Sequence, residues 1–207
     1  MRQPGTHRPT VFLDKDGTLV EDIPWSYDTR QVRFYPGVFE GLRLLHRSGY
    51  GLVIVTNQSG VALGYGTEHD VKHMESFIRR TLKEQDIPLE GFYYCPHRPD
   101  GIVEPYAIHC LCRKPKPGLL LRAASDLHLD MRHSWMVGDI LHDVEAGRWA
   151  GCRTVLVNNG HETEWQLTET RWPDYVAGSL LEAAHLIALS PPVSFTSATR
   201  AGEEPYP

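Results

Sequence analysis

Six short apolar runs constrain this chain more than any other feature: TVFL (10–13), LVIV (52–55), FYY (92–94), WMV (135–137), TVLV (154–157) and YVA (175–177). Each is too short for a helix and almost unbroken in its apolar character. A strand covered on one face alternates apolar and polar residues, whereas a continuous run needs cover on both faces. The cover lies between the runs. Helical patterns occupy 37–49, 68–85, 117–128 and 143–151, and a last one spans about 179–189. In the first of them Val38, Leu42 and Leu45 recur at helical spacing. Strands alternating with helices imply an α/β fold with a doubly wound, mostly parallel, Rossmann-like sheet.

The chain has 207 residues, 41% of them hydrophobic, and one domain with a full core is expected over 1–189. The last stretch, SPPVSFTSATRAGEEPYP (190–207), is rich in Pro, Ser, Thr and Gly and is expected to be disordered. A net charge of −5 argues against nucleic acid or an anionic membrane as a partner. The opening MRQPGTHRPT has no apolar stretch of the signal-peptide kind, and the longest apolar runs are far too short to span a bilayer. A soluble cytoplasmic protein is expected.

Polar residues gather where the apolar runs end, and ligands of open α/β sheets bind at the carboxyl ends of strands. The first run leads into Asp14, then Asp16-Gly17-Thr18; the second into Thr56-Asn57-Gln58-Ser59; the fourth into Gly138-Asp139, with Asp143 one helical turn on. Arg113 and Lys114 stand just before the third helical pattern. Two carboxylates two residues apart, bent back by a glycine turn, can converge on one hard cation. Taken alone, D-x-D-G also fits an ordinary acidic turn. If the strands are neighbours, the polar sets meet in one crevice.

Three of the four cysteines lie in CPHRPDGIVEPYAIHCLCRKP (95–115). Cys95-x-His97 and Cys110-x-Cys112 offer four soft or borderline ligands, a Cys₃His set suited to structural tetrahedral zinc. His109 is the weaker imidazole candidate, because it adjoins Cys110. Reduced surface cysteines are the alternative; a redox pair fits less well, since neither spacing is C-x-x-C. Cys152 leads into an apolar run and reads as a core residue.

The stretches VFLDKDGTLV, TNQSG, RKPKPG and GDILHD, in this order, resemble the motifs of the haloacid dehalogenase-like (HAD) phosphohydrolases. The resemblance implies that Asp14 is the nucleophile and Asp16 the general acid, then base. It also implies Mg²⁺ on the Asp14 carboxylate, the Asp16 backbone carbonyl and Asp139, with Asp143 orienting the set. Thr56, Asn57, Gln58, Ser59 and Lys114 would hold the transferring phosphoryl group.

Within that superfamily YYCPH and C-x-C-RKP resemble the heptose bisphosphate phosphatases and the related histidinol-phosphate phosphatases, over about residues 10–160. This implies a structural Zn²⁺ on Cys95, His97, Cys110 and Cys112. The long segment 98–109 favours the sugar bisphosphate over histidinol phosphate or another small phosphomonoester. Arg113 would take the distal phosphate, and Asp22 either a sugar hydroxyl or only solvent. A monomer without a large cap domain is expected. Two positions depart from the pattern: Ile140 where lysine is usual, and Leu63 where arginine is common. A non-catalytic, zinc-stabilised binding protein on a decayed scaffold is opposed by the intact Asp14, Asp16, Thr56, Lys114 and Asp139.

Overall fold

Each apolar run forms a strand: β1 (Thr10–Leu13), β2 (Gly51–Asn57), β3 (Gly91–Cys95), β4 (Trp135–Gly138), β5 (Arg153–Val157) and β6 (Tyr175–Ala177). Five helices lie between and after them: α1 (Val38–Arg47), α2 (Glu68–Glu84), α3 (Gly118–Leu127), α4 (Leu141–Trp149) and α5 (Leu180–Ala188). The structure, a computed structural model, describes residues 7–190. The stretch expected to be disordered lies, apart from Ser190, outside the described residues. Among the described residues no helix is long and apolar enough to cross a membrane.

The strands form one sheet in the order β3-β2-β1-β4-β5-β6, and all five pairings are parallel. Side chains alternate across it, as strand geometry demands. Val11, Leu13, Leu52, Ile54, Trp135 and Val137 face one way, into a core shared with α1, α2 and α5. Phe12, Val53, Val55 and Met136 face the other way, against Leu119, Leu120 and Ala123 of α3 and Ala146 of α4. Both faces are therefore covered, which is why these strands tolerate no polar alternation. Truncating a fully buried side chain such as Ile54 to alanine typically costs about 2–5 kcal/mol.

One helix departs from expectation. The pattern at 143–151 becomes a helix over Leu141–Trp149, two residues earlier at each end. Its first turn finds acceptors that lie off the apolar pattern. Asp143 accepts from the Ile140 N–H at 3.3 Å, and Glu162, from beyond β5, accepts from the Leu141 N–H at 2.6 Å. Such acceptors satisfy donors that a helix start otherwise leaves open.

The strand order reverses direction between β1 and β4, so the crevice of a doubly wound sheet opens at their carboxyl ends. Two long connecting segments leave this end: residues 14–37 between β1 and α1, and 96–117 between β3 and α3.

Candidate active site

Asp14 follows β1 directly, and its N–H donates to the Val137 carbonyl of β4 at 2.9 Å. This ladder contact plants its carboxylate between the ends of two strands. Lys114 reaches it from the 96–117 segment: its Nζ lies 2.5 Å from Asp14 Oδ1, 2.6 Å from Asp143 Oδ1 and 3.1 Å from the Val55 carbonyl. Asp139, at the end of β4, completes a group in which carboxylate oxygens of Asp14, Asp139 and Asp143 lie within 4.8 Å of one another. All four side chains are buried.

Three buried carboxylates therefore crowd together with one ammonium, which pairs with two of them, Asp14 and Asp143. Burial pushes the Asp14 carboxyl up to about 7 against the pull of Lys114. Burial, with Asp14 and Asp143 adding to it, pushes Asp139 up to about 9. Burial works against the Lys114 ammonium, but Asp14 and Asp143 outweigh it and hold its pKa above the usual lysine range. Surplus negative charge on oxygen donors is the environment a hard divalent cation relieves. The donor set of Asp14 and Asp139 fits Mg²⁺ and offers nothing to a soft metal.

The turn after Asp14 is shaped around Asp139. Gly17 has a φ of 81°, and a Cβ there would lie 2.0 Å from Asp139 Oδ2. A side chain at 17 would thus meet both a left-handed backbone and a collision. Thr18 Oγ1 donates to Asp139 Oδ1 at 3.2 Å. Asp16 accepts from Gln58 Nε2 at 2.9 Å and pairs with Lys15, and the same Gln58 amide donates to Thr56 Oγ1 at 2.9 Å.

A cleft of about 370 Å³ opens above these groups, lined by Asp14, Asp16, Asp22, Thr56, Asn57, Gln58, Ser59, Arg113, Lys114 and Asp139. Asn57 is occupied on both sides: its Oδ1 accepts from the Lys114 N–H at 3.0 Å and its Nδ2 donates to the Lys114 carbonyl at 3.1 Å. It fastens the lysine segment to the end of β2. Arg113 donates to Ser59 Oγ and to the His97 carbonyl. Asp22 lies on the rim, where burial raises its pKa and Asp16 adds to the effect.

Cys95, His97, Cys110 and Cys112 form a second cluster beside this cleft, with ligand atoms within 4.8 Å of one another. Cys95 Sγ lies 3.1 Å from Cys112 Sγ and 3.6 Å from Cys110 Sγ, and His97 Nδ1 lies 3.2 Å from Cys112 Sγ. A tetrahedron of ligands about 2.3 Å from zinc has edges of roughly 3.8 Å, so the set fits such an ion after a small expansion. All four cysteines are free thiols, and Cys152 is buried in the core as expected. His109 is exposed and lies outside the cluster. The loop between the ligand pairs is tied down separately: the Tyr106 hydroxyl donates to Glu68 of α2 at 3.2 Å, beside the Tyr94 hydroxyl of β3, which donates to the same carboxylate at 3.0 Å.

Residues 111–183 match the family described as HAD-hydrolase-like. The chain is 44% identical over 153 residues to the D-glycero-beta-D-manno-heptose-1,7-bisphosphate 7-phosphatase of Escherichia coli (strain K12), which covers 73% of this chain and 80% of that one. The same-named enzyme of Haemophilus influenzae is 40% identical over 178 residues, 86% of this chain and 95% of that one. The chain belongs to the HAD-like phosphatases. It is thus a phosphoric monoester hydrolase. Among solved structures, a D,D-heptose 1,7-bisphosphate phosphatase from B. bronchiseptica, complexed with magnesium and phosphate, superposes with a TM-score of 0.75. It is 27% identical, and the match covers 88% of this chain and 99% of that one.

In this HAD-like phosphatase the four polar sets expected from sequence do meet in one crevice. Of the two departures, Ile140 lines the cleft and Leu63 does not. Sequence reasoning missed Lys15, Asn159, His161 and Glu162. Asn159 Nδ2 donates to the Gly17 carbonyl at 2.5 Å, and His161 Nδ1 lies 2.7 Å from Asp139 Oδ2. A usable signal existed, because NNGHE follows TVLV as the other polar sets follow their strands.

Proposed function

We propose that this phosphatase removes the 7-phosphate of D-glycero-D-manno-heptose 1,7-bisphosphate through an aspartyl-phosphate on Asp14. Mg²⁺ would be held by the Asp14 carboxylate, the Asp16 backbone carbonyl and Asp139. Zn²⁺ on Cys95, His97, Cys110 and Cys112 would clip the neighbouring loop. The observation that carries the substrate is the pair of adjacent cations. Lys114 is buried against Asp14, whereas Arg113 faces the same cleft from farther out, fixed through Ser59 and His97. Two phosphates on one sugar suit two such cations, and a monophosphate would leave Arg113 with only its neutral partners, Ser59 and the His97 carbonyl. The relatives' shared activity supports the same reading.

The steps follow from the placement of the side chains. An Asp14 oxygen attacks the phosphorus in line, and the bond from phosphorus to the sugar oxygen breaks. Asp16, held at the cleft by Gln58 and Lys15, gives its proton to the departing alkoxide. Water then attacks the phosphoryl group on Asp14 while Asp16 takes back a proton, releasing inorganic phosphate and restoring the carboxylate. Lys114 stabilises the charge shared by Asp14 and the transferring oxygens, and Thr56 offers a hydroxyl to one of them. Asp143 keeps Lys114 aimed at Asp14. Magnesium, when bound, screens the repulsion between the nucleophile and its dianionic target. A cytoplasmic location suits a loop that depends on reduced thiols.

The test follows both phosphorus atoms by ³¹P NMR during turnover with Mg²⁺. The expected result is loss of the 7-phosphate signal, growth of inorganic phosphate, and a persistent 1-phosphate. Equal kcat/KM on histidinol phosphate, or loss of the 1-phosphate, would overturn the substrate assignment.

A further inference from the structure

The segment NNGHE after β5 belongs to none of the four polar sets, yet it is built into the site at every residue but one. Asn158 donates its N–H to Ala177 of β6 at 2.8 Å, which anchors the segment to the sheet. Asn159 donates to the Gly17 carbonyl at 2.5 Å, binding it to the turn that carries Asp16. Gly160, with a φ of 95°, turns the chain back toward the cleft. Glu162 accepts from the Leu141 N–H at 2.6 Å and ties the far side to the start of α4. His161 is held between these two anchors, with Nδ1 at 2.7 Å from Asp139 Oδ2.

We propose that His161 is a positioning residue for Asp139: its Nδ1–H fixes the orientation of the carboxylate, and Mg²⁺ affinity depends on it. The inference rests on the reading of Asp139 as a magnesium ligand. Each Asp139 oxygen has one fixing donor, Thr18 for Oδ1 and His161 for Oδ2. A carboxylate oxygen has lone pairs enough to accept such a donor and still face a cation. The space at Gly17 is reserved for this pair, since a Cβ there would lie 2.0 Å from Asp139 Oδ2 and 2.5 Å from His161 Nδ1. The imidazole is one-third exposed and lines the cleft, so it contributes little to the core. Groups that orient ligating side chains typically change metal affinity by about 10–100-fold when removed.

The experiment is calorimetric titration of Mg²⁺ into the zinc-loaded full chain, without substrate. His161→Ala is expected to weaken Mg²⁺ binding by about 10-fold, leaving zinc content and melting temperature as in the wild type. His161→Asn, whose amide nitrogen can occupy the Nδ1 position, recovers most of the affinity, and His161→Gln, whose amide reaches the other ring nitrogen's position, does not. Asp139→Asn serves as the control. If Asp139→Asn loses Mg²⁺ while His161→Ala binds it normally, the positioning role is wrong. If Asp139→Asn also binds Mg²⁺ normally, the magnesium assignment fails and the inference with it. A His161→Ala loss of affinity accompanied by a lowered melting temperature, with no rescue by Asn, would mark a structural role and overturn the proposal.

Discussion

Two ligand clusters sit side by side at the carboxyl end of the sheet, and they are built in opposite ways. The oxygen cluster of Asp14, Asp139 and Asp143 stands on the ends of β1 and β4 and the first turn of α4, with backbone positions set by the sheet ladder. The sulfur cluster has one member, Cys95, at the end of a strand, and takes its other three from the 96–117 segment. The first holds its geometry because the core behind it is packed, and the surplus charge is a cost that packing sustains. The second sets Cys95 into the core on the other face of the sheet, with Cys110 and Cys112 packed against it, and a bound ion would fix its four ligands relative to one another. A site for chemistry must be rigid before the substrate arrives, whereas a site for scaffolding can be completed by a metal. The two are joined at Cys112-Arg113-Lys114, where the segment that carries the sulfur ligands also carries the two cations that line the cleft.

Removing the proposed nucleophile should separate the clusters most sharply. Asp14→Asn is expected to lower kcat by more than about 10⁴-fold, with bound zinc and the melting temperature retained. A variant that keeps more than a few per cent of activity would show that Asp14 is not attacked. The next effect is that of Lys114→Met. It leaves Asp14 and Asp143 buried without their cation, so both activity and folding should suffer: on the order of 10³-fold in kcat and about 3–5 kcal/mol in stability. Chemical denaturation alongside kinetics checks both, and an unchanged midpoint would contradict the buried ion-pair description.

Cys112→Ser attacks the other side of the comparison. Zinc content should fall toward zero and the melting temperature by roughly 10 °C, about 3 kcal/mol for a chain of this size. Activity should drop by about 10–100-fold through misplacement of Arg113 and Lys114 rather than through the chemistry itself, so KM should rise along with the fall in kcat. Full activity in a zinc-free preparation would remove the link between the clusters. The smallest effect is expected from Asn57→Ala, which cuts the two hydrogen bonds holding the Lys114 backbone to β2. A loss of about 10-fold in kcat with normal zinc content would place the damage at the lysine alone.

The oxygen cluster was legible because its residues stand at fixed offsets from apolar runs, so finding the strands finds Asp14, Thr56 and Asp139. The sulfur cluster was legible for a different reason: the chain has only four cysteines, three of them fall within 95–112, and their spacing narrows the metal. What escaped has neither property. The start of α4 is set by acceptors, Asp143 and Glu162, the second of which arrives from 21 residues away and leaves no local period. His161 lies in a segment without periodicity, and its role arises only when β5 brings NNGHE beside the turn at Gly17. Asn57 was read as a phosphate ligand from its strand-end position; its two bonds to Lys114 depend on the return of a distant loop and could not be seen in the sequence.

The central claim, that Asp14 on the oxygen cluster is phosphorylated while the sulfur cluster only holds the loop, is tested most directly by trapping the intermediate. Acid quenching of the enzyme during turnover of ³²P-labelled heptose bisphosphate should leave label on the protein. The label should be sensitive to hydroxylamine, map to the peptide containing Asp14, and be absent from Asp14→Asn. Label on a cysteine or histidine of the 95–112 loop, or none on the wild-type protein under burst conditions, would contradict it.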